Sequence, residues 1–238
     1  MKRVLFFLSL IALTYECNAQ NADNDVKRYG LKGKVKVMEE ARFPYTKQVN
    51  GEWSVVDTVF YNVEKYNFDE SGRLTAIEHI HNQIAGRKGT TVTITKFSYK
   101  DEKIVGSETY DEYGRAINSS TVNWLNNNTY VDSFSEKETK NEIVHVLDKD
   151  MRNKTTTTKK FNSNGQLMAC IITNFSYDKN GRASKEVITD SLSRNSYNFE
   201  FKSLGTDKKG NRSKVLFTEN KKGGMPNQLL LYTYEYYK

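Results

Sequence analysis

A seven-residue turn recurs along this chain and limits what it can fold into. Residues 68–74, 110–116, 161–167 and 177–183 each read as an aromatic, an Asp or Asn, two polar residues, a glycine, a long polar residue and a small or apolar one. The aromatic closes one strand and the last residue opens the next. An Asp or Asn at the turn entrance bonds forward to the backbone, and a glycine three residues on supplies positive φ without a Cβ clash. Gly72, Gly114, Gly165 and Gly181 are the expected turn glycines, and Gly210, within 207–212, is a fifth. Copies without a glycine lie at 99–104 and 147–152. The copies are unevenly spaced, so the unit is a hairpin between strands of varying length rather than a coil of fixed length.

Between the turns, 90–99, 116–125, 167–177, 197–204, 215–218 and 229–237 are rich in β-branched and aromatic residues, which suit a pleated, half-buried surface. Val35 and Val37 alternate with Lys34 and Lys36, and Asn50-Gly51 is a two-residue hairpin signal. Apart from one helical turn at most over 137–141, nothing after the leader has a 3.6-residue period. The expected fold is all-β: an elongated, twisted antiparallel meander of about fifteen strands, with one face buried by curling or folding over. A closed barrel of that many strands encloses a wide lumen. At 37% hydrophobic residues and a mean hydropathy of −0.72, the chain reads as too polar to fill one.

These turns resemble the YD repeat of Rhs-like proteins and of short exported proteins of the Bacteroidota. In large members of that family many copies wind into a β-shell around a toxin. About seven copies here are too few for such a shell, so the resemblance implies a short exported β-repeat protein and brings no catalytic residue with it.

Residues 1–19 read as a secretory leader. Lys2 and Arg3 precede an apolar run, and Cys17-Asn18-Ala19 offers small residues for cleavage after Ala19. Lipid attachment at Cys17 is disfavoured by Glu16 directly before it. Residues 20–30 are a polar, flexible segment and 31–238 the β domain, placed outside the cytoplasm in the periplasm, at the surface or secreted. No later apolar run approaches the length of a membrane-spanning helix. After cleavage Cys170 is the one cysteine left, which excludes an internal disulfide, and its apolar neighbours make it a small core residue.

The formal charge is +7. The leader holds Lys2, Arg3 and Glu16, so +6 remains, interspersed with acids. That pattern describes a solvated face and, with export, argues against a nucleic-acid partner. His79 and His81 share a strand face, but with His145 they form no recognisable metal motif. No nucleophile elbow, phosphate loop, dinucleotide fingerprint or zinc-protease helix occurs, and no cofactor is implied. Thr58 and Ser191 follow aspartates in the manner of an O-glycosylation acceptor, a pattern short enough to arise by chance.

The sequence is read as a non-enzymatic envelope protein whose extended surface binds a glycan or a protein. The alternative is a polysaccharide-acting enzyme using acids and tyrosines in a groove of the sheet. In a meander, alternate turns share an edge. Arg73, Arg152, Arg182 and Arg212 fall on one edge and form a candidate row for an anionic glycan, since guanidinium forks pair with carboxylate or sulfate oxygens.

Overall fold

The computed structural model describes residues 25–56, 62–82, 90–220 and 227–238. The leader and Thr58 lie outside the described residues. A helical turn, α1 (Asp25–Arg28), precedes β1 (Val35–Phe43), β2 (Thr46–Val49), β3 (Glu52–Val55), β4 (Asn62–Phe68), β5 (Leu74–Asn82) and β6 (Thr90–Lys100). Then follow β7 (Lys103–Tyr110), β8 (Ala116–Asn126), β9 (Thr129–Glu136), β10 (Thr139–Leu147) and β11 (Asn153–Phe161). The last five are β12 (Leu167–Tyr177), β13 (Ala183–Asp190), β14 (Ser196–Thr206), β15 (Arg212–Glu219) and β16 (Gln228–Tyr236).

Fourteen strands, β1 and β4 to β16, form one antiparallel sheet in chain order that closes on itself, while β2 and β3 pair as a separate hairpin. Closure falls on β1. It pairs along one edge with β4 (Glu40 opposite Glu64) and along the other with β16 (Glu40 opposite Tyr232). The all-β antiparallel meander is thus as expected, but it is a closed barrel rather than an open twisted sheet. Closure also overturns the resemblance to YD-repeat, Rhs-like proteins. Once first and last strands pair, no edge remains for further coils to extend, and the recurring heptad is a turn that any meander can use.

Six turns share one bonding pattern. At Asp69, Asp111, Asp148, Asn162, Asp178 and Asp207, residue i donates its N–H to the carbonyl of i+4, and i+3 donates to the carbonyl of i. The side-chain Oδ1 of residue i accepts from the N–H of i+2 and of i+4. A residue in the left-handed region sits at i+3. It is glycine at Gly72, Gly114, Gly165, Gly181 and Gly210 (φ between 76° and 86°), and Met151 (φ 61°) in the copy without one. The copy at 99–104 is a shorter turn through Asp101 and Glu102, both at positive φ. Residues 137–141 form no helical turn. Lys137 (φ 51°) belongs to the tight connection between β9 and β10.

The barrel is filled from inside. Met38, Phe68, Leu74, Phe199, Val215, Phe217 and Leu230 are buried, with Tyr66, Ile77, Phe97, Phe201, Tyr232, Tyr234 and Tyr236 packed against them. The segment expected to be flexible contributes as well. Val26 joins the core, Asp25 is 4% exposed, and the Asp25 carboxylate accepts the Leu74 N–H at 2.7 Å and lies 2.8 Å from the Tyr99 hydroxyl. This turn sits at the end of the barrel that carries the turns at 69–73, 148–152, 178–182 and 207–211; we call it the plugged end. Gly30 lies so close to the 178–182 turn that a Cβ there would stand 2.6 Å from the Gly181 carbonyl oxygen. The expectation that the chain is too polar to fill a lumen fails because the lumen takes polar residues too: Thr95 bonds Thr109 and Ser107 bonds Ser120 on its face, while long aromatics and the N-terminal turn fill the rest.

Candidate ligand chamber

Among the described residues two cavities remain in the lumen, one on either side of Tyr29 and Glu186. The larger, about 490 Å³, is walled by β1, β4, β13, β14, β15 and β16, with Phe199, Phe201, Phe217, Tyr66 and Tyr232 supplying aromatic surface. The smaller, about 320 Å³, lies against β5 to β7 and β9 to β13, with Phe97, Tyr99, Tyr130, Phe175 and Tyr177 in its wall. Tyr29, Ala183 and Glu186 line both.

Register places ionisable groups in the larger chamber. Glu40 and Glu64 face each other across β1 and β4, and Glu64 faces His79 across β4 and β5. Like charges opposite one another disfavour folding, so the site separates their protonation. Burial pushes the Glu40 carboxyl above its ordinary range, although Arg42 and the Tyr232 hydroxyl oppose the shift. Glu64 is held below its ordinary range, first by its hydrogen bond with His79 and, against burial, by the Tyr66 hydroxyl. His79 Nδ1 lies 3.3 Å from Glu64 Oε1. Arg42 reaches Glu40 at 3.4 Å and stacks over Phe217 with its guanidinium carbon 5.5 Å from the ring centre. Glu186, on the dividing wall, is also shifted up, by burial and by the Glu40 charge against the pull of Arg42. Such a space, lined by aromatic and aliphatic side chains with convergent charged groups, has the form of a small-molecule site.

The four arginines share the plugged end, as the alternation of turns requires, but three of them point their charge into the barrel wall. The Arg152 head binds Asp148 and Asp150 at 2.6 and 2.8 Å and lies over the Tyr177 ring. Arg182 donates to the Gly210 carbonyl, and Arg212 to the Ala183 carbonyl and to Asp178. Their side chains are only 15%, 12% and 11% exposed. Burial works against the charge of Asp178, but the N–H groups of Arg182 and Asn180 and the two guanidiniums hold its carboxyl below the ordinary range. Arg73 is more open and pairs with Asp69. Arg182 and Arg212 thus tie adjacent turns together, while Arg73 and Arg152 brace their own turns.

His79 and His81 stack on one face, with His81 held by Asn62, while His145 lies on β10 against Tyr130 and Asn153. Among the described residues no three His, Cys, Asp or Glu side chains come together as a metal site. Cys170 is a free thiol of intermediate exposure, and its register partner Lys159 places it on the outward face rather than in the core. Ser191 is exposed in the turn after β13. Of the chamber acids, Glu64 and Glu186 were not singled out in the sequence, and Glu40 stands out there only as half of the adjacent Glu39-Glu40 carboxylate pair. Each sits mid-strand in ordinary alternation, and only closure turns them toward one another.

No family model matches the chain, and no curated protein matches it. Among solved structures it is similar to a porin-like protein from Bacteroides vulgatus (12% identity, 86% of this chain, 99% of that one, TM-score 0.49). Another is a porin-like protein from Bacteroides uniformis (12%, 86% and 99%, TM-score 0.48). A LolA superfamily protein from Nitrosomonas europaea is more distant (8%, 87% and 89%, TM-score 0.29). None of these matches is with an Rhs-like shell.

Proposed function

We propose that this chain is a non-enzymatic barrel of the cell envelope that faces water on its outside and holds an amphipathic small molecule inside. The observation that carries this reading is the polarity of the outward face. Cross-strand partners share a face, and beside apolar rows such as Leu231–Ala41–Val63–Ile80–Val92 register builds charged outward rows of Glu39–Lys65–Glu78, Lys96–Glu108–Ser119, Thr121–Ser133–Glu142–Lys159 and Lys185–Glu200–Thr218. Lys65 and Glu39 form an ion pair at 3.5 Å. A barrel spanning a bilayer presents an apolar band about 25 Å tall to lipid, and a Lys or Arg at its midplane costs about 2–4 kcal/mol. Here that level carries charges of both signs. No helix among the described residues is long and apolar enough to cross a membrane; strands could still cross, and the outward rows argue against that route.

Export rests on the leader at 1–19. The outward apolar side chains Leu216 and Leu229 are buried (6% and 1% exposed), and the β2–β3 hairpin packs beside them, β3 against β16, as burial of apolar surface from water requires. Binding is tested with a fluorescent fatty acid displaced by unlabelled amphiphiles. Ala183→Phe fills the space shared by both cavities and should weaken probe binding at least tenfold with little change in melting temperature. A parent that binds no probe, or a variant that binds it equally, contradicts the reading.

A second reading, an enzyme acting on a polysaccharide, draws on one feature: Glu40 shifted up and Glu64 shifted down, as an acid and a base are arranged. Against it, both carboxyls are engaged by their neighbours, Glu40 by Arg42 and Glu64 by His79. Release of reducing ends from envelope polysaccharides, abolished by both Glu40→Gln and Glu64→Gln, would support it in place of the binder.

A further inference from the structure

The exposed large apolar side chains are not scattered. Twelve are exposed among the described residues. Tyr29, Val105 and Leu125 lie at the plugged end; the other nine gather at the opposite mouth, on the β2–β3 hairpin and within two residues of the turns after β7, β11 and β13. Tyr113 is 75% exposed, Ile117 and Val56 56%, Met168 and Leu192 54%, and Tyr45 53%. In the strand order these positions stand at β1, β7–β8, β11–β12 and β13–β14, so they are distributed around the mouth rather than gathered on one side.

We propose that this mouth docks on the surface of a lipid bilayer, with these side chains entering the headgroup boundary as separate anchors. Three features favour a lipid plane over a protein partner. The apolar residues share one level, that of the barrel's end, as a plane requires. Apart from the consecutive Leu167 and Met168 and the bonded pair Tyr45 and Val56, they are separated by polar residues, whereas a stable protein interface needs a contiguous, well-packed apolar centre, and here the centre is the lumen. Tyrosines among aliphatic residues are the composition of membrane-interface anchors. Among the described residues charge is nearly even at this level: Lys47, Arg115, Lys137, Lys140 and Arg194 stand with Glu52, Asp111, Glu112, Glu136, Glu138 and Asp190, and Arg115 is paired with Asp111. The docking is therefore driven by apolar insertion and needs no anionic lipid. It stands independently of what the lumen holds.

The test is flotation of the purified exported protein with phosphatidylcholine vesicles. Binding should persist in high salt and gain little from added phosphatidylglycerol. The triple variant Tyr113→Ser, Ile117→Ser, Met168→Ser, at surface positions that leave the core intact, should bind at least tenfold more weakly. Val105→Ser with Leu125→Ser, at the plugged end, should bind as the parent does. A parent that does not float, rim and control variants that float alike, or binding that requires anionic lipid and is lost in salt overturns the proposal. So does a vesicle-free dimer that the rim substitutions dissolve, which would make the mouth a contact between copies of this chain.

Discussion

At the scale of single residues, two positions separate backbone strain from packing. Met151 occupies the left-handed position that glycine holds in the other five turns of this pattern. A residue with a Cβ pays about 1 kcal/mol there, so Met151→Gly should raise the melting temperature, and a lower one would show that the Met side chain outweighs the strain. Gly114 and Gly30 both have positive φ, but a Cβ on Gly114 meets nothing within 4 Å while one on Gly30 meets backbone at 2.6 Å. Gly114→Ala should cost about 1 kcal/mol by strain alone, and Gly30→Ala clearly more; equal losses in denaturant unfolding would mean that the N-terminal turn is not wedged against the 178–182 turn. Glu186 gives a prediction with a sign in pH. Its carboxyl is shifted up by burial, so the fold favours the uncharged form. Its contribution to stability is complete below the ordinary Glu range and is lost as pH rises through the shifted value. Glu186→Gln should therefore melt like the parent at pH 4 and above it at pH 8, and the reverse order would place Glu186 in a charged, partnered setting.

At the scale of elements, the helical turn before β1 is the piece that the sequence concealed. Residues 25–28 read as polar (Asp-Val-Lys-Arg), and nothing local marks them as lumen filling. Their role depends on Leu74 and Tyr99, far along the chain, offering donors to Asp25. Asp25→Ala leaves the Leu74 N–H buried without its acceptor and should cost about 1–3 kcal/mol; an unchanged unfolding midpoint would show that water replaces the carboxylate. The turns were legible because their chemistry is local: Asp or Asn at the entrance and glycine three residues later determine the bonding by themselves. The arginines were legible only in part. Alternation of turns located them on one end, but where each head points depends on an acidic or carbonyl partner, for Arg182 and Arg212 one belonging to a neighbouring turn.

At the scale of the whole molecule, closure decides everything that the strands leave open. It requires β1 to pair with both β4 and β16, and the second of these pairings spans nearly the whole chain, with no local signature. Without closure the polar strand residues argue for a thin open sheet; with it, they divide between the outside and the lumen, and the aromatics become a lumen wall. Closure likewise creates the chamber, since Glu40, Glu64 and Glu186 come from strands at opposite ends of the sequence. The central claim is that the outside of this barrel faces water. It is tested most directly by purifying the protein from residue 20 onward without detergent and measuring its mass by light scattering, alongside conductance in planar bilayers. The account predicts a monodisperse protein in plain buffer that forms no channels. Aggregation relieved only by detergent, together with stable single-channel steps, would contradict it.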